Sequence, residues 1–103
     1  MHSNDAQMLV LTVLAGGPRH GYAINTAIEE LTGSRLGPGS LYGALSRLEA
    51  RRLVQPADEA GEANERHRTM TITEAGRDLL RDELQQMARI STAGLRALGI
   101  APA

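Results

Sequence analysis

One segment of the chain combines small residues, an aromatic hydroxyl and a guanidinium at helical spacing. If residues 37–52 form a helix, one side is apolar and the opposite side carries only small residues. Tyr42 and Arg47 flank the small side from its two edges. The apolar residues are Leu41, Ala44, Leu45 and Leu48, and the small ones are Gly39, Gly43, Ser46 and Ala50. A merely solvated face is normally long and charged, so this face predicts close approach to an anionic surface such as the DNA major groove.

Polar residues around this helix extend the predicted contact. Arg47 is the strongest candidate for a base or phosphate contact, because arginine binds guanine and phosphate in a bidentate manner. Ser40 and Tyr42 lie near the helix start, where free amides also bind phosphate, although both side chains could simply cap and cover that end. Arg35 precedes the helix and is placed to reach a phosphate. The arginines at 51–52 lie at its end, where complementing the helix dipole is an equal alternative.

The charge distribution favours selective docking over general adhesion to nucleic acid. The net charge is −1, and all eleven basic residues are arginine. Four arginines and one acid fall within residues 34–52, whereas four acids cluster within residues 58–65. A small basic patch on a nearly neutral chain is typical of a protein that binds one site rather than any polyanion.

Catalysis, metal binding and membrane insertion find no support in the motifs. The chain has no cysteine, and its three histidines lack metal-site spacing. It has neither a nucleophile motif nor a glycine-rich phosphate loop after a strand, so no enzyme activity, metal or cofactor is expected. No apolar run reaches the ~20 residues of a membrane span, and no signal peptide is recognisable, so we expect a cytoplasmic protein without membrane contact.

Three helices are predicted before residue 53. The first begins after Asn4, which caps it while Gln7 reaches back, and it stops at residues 16–18. The second covers about residues 21–31 and ends at Gly33. The third begins near Pro38, a residue that is favoured at the first helical position.

A hairpin and a long helix complete the order of elements. Residues 53–55 and 66–73 read as paired strands around an acidic loop, and Thr73 caps a helix that runs to about Leu98. The fold class is therefore mainly α with a small β-hairpin. We expect a winged helix-turn-helix DNA-binding domain over residues 1–73 and a C-terminal dimerisation helix over residues 74–103, forming one compact unit.

The last helix carries an apolar stripe that one protomer cannot cover. The stripe consists of Leu80, Leu84, Met87, Ser91, Leu95 and Leu98, widened by Leu79 and Ile90. Packing against a twin helix would bury this stripe, which predicts a homodimer through Leu80, Leu84, Met87, Leu95 and Leu98. The alternative is that the helix folds back wholly onto its own domain.

Several blocks of the chain resemble the PadR family of bacterial transcriptional regulators. The blocks are Gly17 to Tyr22, Pro38 to Glu49, Leu53-Val54 and Ile72 to Arg77, and the resemblance covers about residues 6–85. A single C-terminal helix resembles the short subclass. The resemblance implies a homodimeric repressor that binds double-stranded DNA at a palindromic operator.

The resemblance also implies DNA roles for particular positions. Tyr22, Ser40, Tyr42 and Arg47 match family positions that touch phosphates or base edges. The basic positions of the wing correspond to Arg66, His67 and Arg68. The family wing usually carries adjacent tyrosines where this chain has Thr69 and Met70, and the wing loop here is acidic, so weaker wing contact is expected.

Two other functions remain open at this point. The first is a protein-interaction module that has the winged-helix shape but does not bind DNA, which the acidic loop favours. The second is a ligand- or redox-responsive regulator of another winged-helix family, for which thiol chemistry is excluded because there is no cysteine. Some PadR-family members bind small molecules between aromatic side chains. This chain has no Trp or Phe, so any inducer pocket would be aliphatic.

Overall fold

Helices dominate the described residues, and three short strands form one small sheet. The computed structural model describes residues 3–57 and 68–100, with side chains from residue 5 onward. Within these ranges the elements are α1 (Ser3–Leu14), β1 (Arg19–His20), α2 (Gly21–Thr32), α3 (Pro38–Ala50), β2 (Val54–Pro56), β3 (Thr69–Ile72) and α4 (Glu74–Ala97). The predicted fold class and the order of the helices and the hairpin are confirmed.

The start of α1 differs from the prediction. The helix begins at Ser3, so Asn4 lies within it and is not its cap. Gln7 does not reach back either, since its Oε1 accepts a hydrogen bond from Arg51 Nη1 at 2.6 Å. Gln7 is buried against the end of α3, and the guanidinium satisfies its side chain there. The local capping pattern was overridden by a contact across the fold.

The sheet has one strand more than predicted. β3 lies in the centre and pairs antiparallel with β2 on one side and β1 on the other. The hairpin register pairs Val54 with Ile72 and Pro56 with Met70. β1 is only two residues long, too short for an alternating pattern to show in the sequence. Met70 and Ile72 of the central strand are buried in the core.

The core is aliphatic and draws on every helix. The apolar side of α3 is fully buried, as predicted, and the stripes of α1 and α2 pack against it. The buried residues are Val10, Leu11, Val13, Leu14, Ile24, Ile28, Leu41, Ala44, Leu45, Leu48, Leu53, Val54, Met70, Ile72 and Leu80. With one side of α3 packed in this core, its opposite side is left for solvent or a ligand.

A dense junction fixes the start of α4 to the end of α3. Thr73 caps α4 as predicted, because its Oγ1 accepts from the Gly76 amide at 3.0 Å. The same hydroxyl donates to the Arg52 carbonyl at 2.8 Å. A Cβ at Gly76 would collide with the carbonyl oxygen of Leu53, so this position requires glycine. The direction of α4 is therefore coupled to the end of α3.

Beyond Leu80, α4 leaves its own domain. Leu80 is 5% exposed and belongs to the protomer core, which corrects its predicted place on a free dimerisation face. Residues 81–91 are all exposed, so the helix does not fold back wholly onto its domain. The radius of gyration is 15.0 Å, compared with about 13 Å for a compact chain of 100 residues. The distal part of α4 is thus an extension with an unpartnered apolar stripe.

Candidate nucleic-acid interface

The outward side of α3 is open over most of its length. Ser40, Ser46, Arg47 and the small residues Gly39 and Ala50 are exposed. The side chain of Arg47 extends back along the helix towards Gly43. A Cβ added at position 43 would lie only 3.2 Å from Arg47 Nη1. The absence of a side chain at position 43 therefore gives the guanidinium a place directly on the helix surface.

Tyr42 is less free than the sequence suggested. It is half-buried and packs against the hydrophobic core. Its ring covers Gly21 at the start of α2, where an added Cβ would lie 2.5 Å from the tyrosine Oη. Gly21 thus permits α2 and α3 to meet through this ring. The hydroxyl is presented at the first residue of α2, and the ring itself does not project from α3.

A second aromatic group and an arginine lie next to Tyr42 at the start of this helix pair. Tyr22 is 70% exposed, and the guanidinium carbon of Arg35 lies 5.2 Å from the centre of its ring. Arg35 Nη1 also donates to Glu29 Oε1 at 2.8 Å. These residues border an open groove of about 360 Å³ between the starts of α2 and α3. The guanidinium of Arg35 is therefore held at the rim of the groove by Tyr22 and Glu29.

Sequence reasoning missed the residue that holds the loop between α2 and α3. Asn25 is 8% exposed, and its side chain makes two hydrogen bonds of 2.8 Å to Leu36, one with the amide and one with the carbonyl. These bonds fix the loop that carries Arg35 and leads into Pro38. The available signal was an amide residue beside the apolar stripe of the second predicted helix.

Both helix starts that face the groove leave backbone donors without a side-chain cap. His20 precedes α2 and Gly37 precedes α3, and in the described structure neither supplies a side-chain cap hydrogen bond. Uncapped amides at a helix N-terminus favour anions such as phosphate. The groove thus offers amide donors beside the guanidinium of Arg35, and the outward side of α3 carries the exposed Arg47.

The base of the hairpin meets the other edge of α3. Arg68 Nη2 donates to Glu49 Oε1 at 2.7 Å, so this predicted DNA contact is occupied by a protein carboxylate. The predicted contact Arg66 and its neighbour His67 lie outside the described residues. The structure therefore groups Tyr22, Arg35 and Tyr42 around the groove, and it leaves Ser40 and Arg47 exposed on α3. Arg68 lies beside Tyr42 but is bonded to Glu49.

Comparison with known proteins decides the family. Residues 10–82 match the family model described as the transcriptional regulator PadR-like family. The chain belongs to the PadR-like family. The match includes α2, α3 and the whole hairpin, so it covers the elements that build the groove and the outward side of α3.

Solved structures share the fold of this PadR-like chain. A PadR-like transcriptional regulator from Bacillus cereus superposes with a TM-score of 0.75 over 89% of both chains at 21% identity. RosR of H. salinarum is 27% identical, with a TM-score of 0.67, and the match covers 91% of this chain and 92% of that chain. The fold is therefore that of PadR-like winged-helix regulators.

A curated relative is much closer in sequence but longer. The 37.1 kDa protein in transposon TN4556 of Streptomyces fradiae is 62% identical over 91 residues, which are 88% of this chain. The PadR-like chain spans 25% of the length of that relative. The likeness therefore concerns one quarter of that protein.

Two other kinds of site are absent from the part of the chain that the structure describes. Within residues 3–57 and 68–100, no cluster of three or more metal-ligating side chains occurs. None of the described helices is long and apolar enough to cross a membrane.

Proposed function

We propose that this PadR-like chain is a sequence-specific DNA-binding transcriptional repressor that acts as a homodimer on a palindromic operator. The observation that carries the proposal is the outward side of α3, where small residues and Arg47 remain exposed while the opposite side is buried in the core. A helix with this shape enters the major groove, and its small residues let the backbone approach the bases.

The contacts divide into positioning and readout. Tyr22, Arg35 and Ser40 border the starts of α2 and α3, and there they bind phosphates together with the uncapped amides. Arg47 reaches a base edge or a phosphate from the middle of α3. Tyr42 presents its hydroxyl beside Gly21, where it meets the DNA backbone. Arg66 is proposed as the wing contact.

The dimer follows from the stripe on α4. Leu84, Met87, Leu95 and Leu98 are exposed or half-buried in one protomer, and a two-fold partner would cover them. Two protomers present two copies of α3, so the half-sites lie about 34 Å apart, or a multiple of that distance, on one face of the duplex. The proposal assigns no catalysis and no cofactor, and the DNA target places its action in the cytoplasm.

The alternative is a protein-interaction module with the same fold. The net charge of −1 and the four acids within residues 58–65 favour it, since acidic groups near the hairpin repel phosphate. A module of this kind would bind a protein through the same outward side of α3. Salt dependence separates the two, because DNA binding releases counterions and weakens steeply as salt rises.

The test is a gel shift with the DNA upstream of the protein's own gene at several salt concentrations. A repressor gives a retarded band that weakens with salt, and Arg47→Ala weakens it by about 1–3 kcal/mol if the arginine reads a guanine. Arg81→Ala is the matched control, since it removes the same charge from the exposed surface of α4. Equal affinities for the two variants, or no band at low salt, would contradict the proposal.

A further inference from the structure

One ion pair ties the base of the hairpin to α3. Arg68 Nη2 lies 2.7 Å from Glu49 Oε1, and the two residues are 19 positions apart in the sequence. The side chains are 29% and 38% exposed, so solvent shields the pair less than it shields a fully exposed one. Arg68 is also the residue directly before β3. The pair therefore holds the start of that strand against the side of α3.

The surroundings of Arg68 leave it little freedom. Among the described residues its Nε is buried and has no hydrogen-bond partner. The gap beside it, which Tyr42, Ser46 and Met70 help to line, measures about 10 Å³. That space is at or below what one water molecule needs. The buried Nε and the bond to Glu49 thus restrict this side chain, and turning the guanidinium towards a phosphate would break that bond.

The charge of Glu49 gives the pair a second consequence. Glu49 is the only acid within residues 34–52, and it lies on the helix that carries Arg47. An unpaired carboxylate at this place would repel the phosphates of a duplex bound along α3. While Arg68 is bonded to it, the carboxylate is neutralised and the hairpin base is fixed at the same time.

We propose that Arg68 is a positioning residue and not a DNA contact, acting through Glu49 to set the angle of the hairpin against α3. The inference deepens the proposed function and rests on it. It replaces the sequence-based expectation that Arg68 binds DNA directly.

The test is a double-mutant cycle on DNA affinity with Glu49→Gln, Arg68→Gln and the double variant. Each single variant should weaken binding about fivefold, and the double variant should bind no worse than either single one. The slope of log affinity against log salt should stay that of the unmodified protein, because no phosphate contact is lost. The direction of the change in DNA affinity for Glu49→Gln is the most decisive result. The inference predicts weaker binding, whereas removing an acid near DNA would otherwise tighten it.

Two further variants separate positioning from direct contact. Exchanging the charges, with Glu49→Arg and Arg68→Glu together, should recover most of the lost affinity because the pair is rebuilt in reverse. Asp78→Asn is the matched control, since it likewise neutralises an acid that is bonded to an arginine, here Arg81 on the exposed surface of α4. This control should leave DNA binding unchanged.

The opposite results would overturn the inference. A salt slope lower by about one in Arg68→Gln would show that Arg68 touches a phosphate. Tighter binding by Glu49→Gln would show that this carboxylate acts only by repelling the duplex. If the unmodified protein binds no DNA, the proposed function fails by itself. Hydrogen exchange without DNA then decides the inference: amides of residues 69–72 should exchange faster in Glu49→Gln than in the unmodified chain, and identical rates would refute it.

Discussion

The head of the molecule, residues 3–80, and the distal part of α4, residues 81–100, use apolar side chains in opposite ways. In the head, Leu14, Ile28 and Leu48 are 0% exposed. The exposed large apolar residues of the distal part are Leu84 at 41%, Met87 at 44%, Ile90 at 63%, Leu98 at 75% and Ile100 at 52%. The described part of the head therefore buries its core within one protomer, whereas the distal helix has an apolar face of the kind that marks an interaction surface.

The largest effect is expected in the head. Leu48→Ala should lower the free energy of unfolding by about 2–5 kcal/mol, because it opens a cavity at the centre of the core. Urea denaturation followed by circular dichroism measures this loss. Leu31→Ala is the control, since Leu31 is 58% exposed and should cost far less. Similar losses for both variants would mean that α3 is not packed as described.

A comparable but different effect is expected on the distal helix. Met87→Glu should weaken dimerisation about hundredfold, because a carboxylate would be buried without a partner in the two-fold interface. Sedimentation equilibrium measures the dissociation constant, and unchanged helix content shows that the head is intact. Gln86→Glu adds the same charge to the neighbouring residue, outside the stripe, and should have little effect. An unmodified protein that is monomeric at all concentrations would refute the proposed dimer.

The same division explains what the sequence could predict. The helices and the individual strands of the hairpin followed from periodicity, and the apolar side of α3 that the structure buries was predicted residue by residue, because periodicity depends on near neighbours in the chain. The contact between Gln7 and Arg51 joins residues 44 positions apart, and that between Glu49 and Arg68 joins residues 19 apart. No local pattern reports such pairs. The predicted cap at Asn4 assumed that Gln7 bonds within its own helix, whereas Gln7 bonds Arg51 and the helix begins at Ser3.

An intermediate effect on stability is expected at Asn25, where hydrogen bonds of a buried polar side chain hold a loop of the head. Asn25→Ala should cost about 1–3 kcal/mol of unfolding free energy, because the amide and carbonyl of Leu36 lose their partners. DNA affinity should fall as well, since the loop carrying Arg35 would no longer be fixed. Thermal unfolding and anisotropy titration measure the two effects. Asn25→Asp keeps only the acceptor, so its stability should lie between those of Asn25→Ala and the unmodified chain. If Asn25→Ala were as stable as the unmodified chain, this role of Asn25 would be contradicted.

The smallest effect is expected on the solvated side of α4. Breaking the ion pair of Arg81 with Asp78, whose side chains are 56% and 60% exposed, should cost at most about 0.5 kcal/mol. Thermal unfolding of Arg81→Ala at low and high salt measures this, and the difference should vanish at high salt because exposed charges are screened. A larger loss that persists at high salt would place Arg81 in the dimer contact.

Selection of bound sequences from random double-stranded DNA tests most directly whether α3 is presented twice to one duplex. The prediction is an enriched motif with two-fold symmetry, whose half-sites lie about one helical turn (~34 Å) apart or a multiple of it. The enrichment should disappear in Arg47→Ala and persist in Arg81→Ala. Absence of any enriched sequence, or a single unrepeated half-site, would contradict a dimeric repressor acting through the outward side of α3.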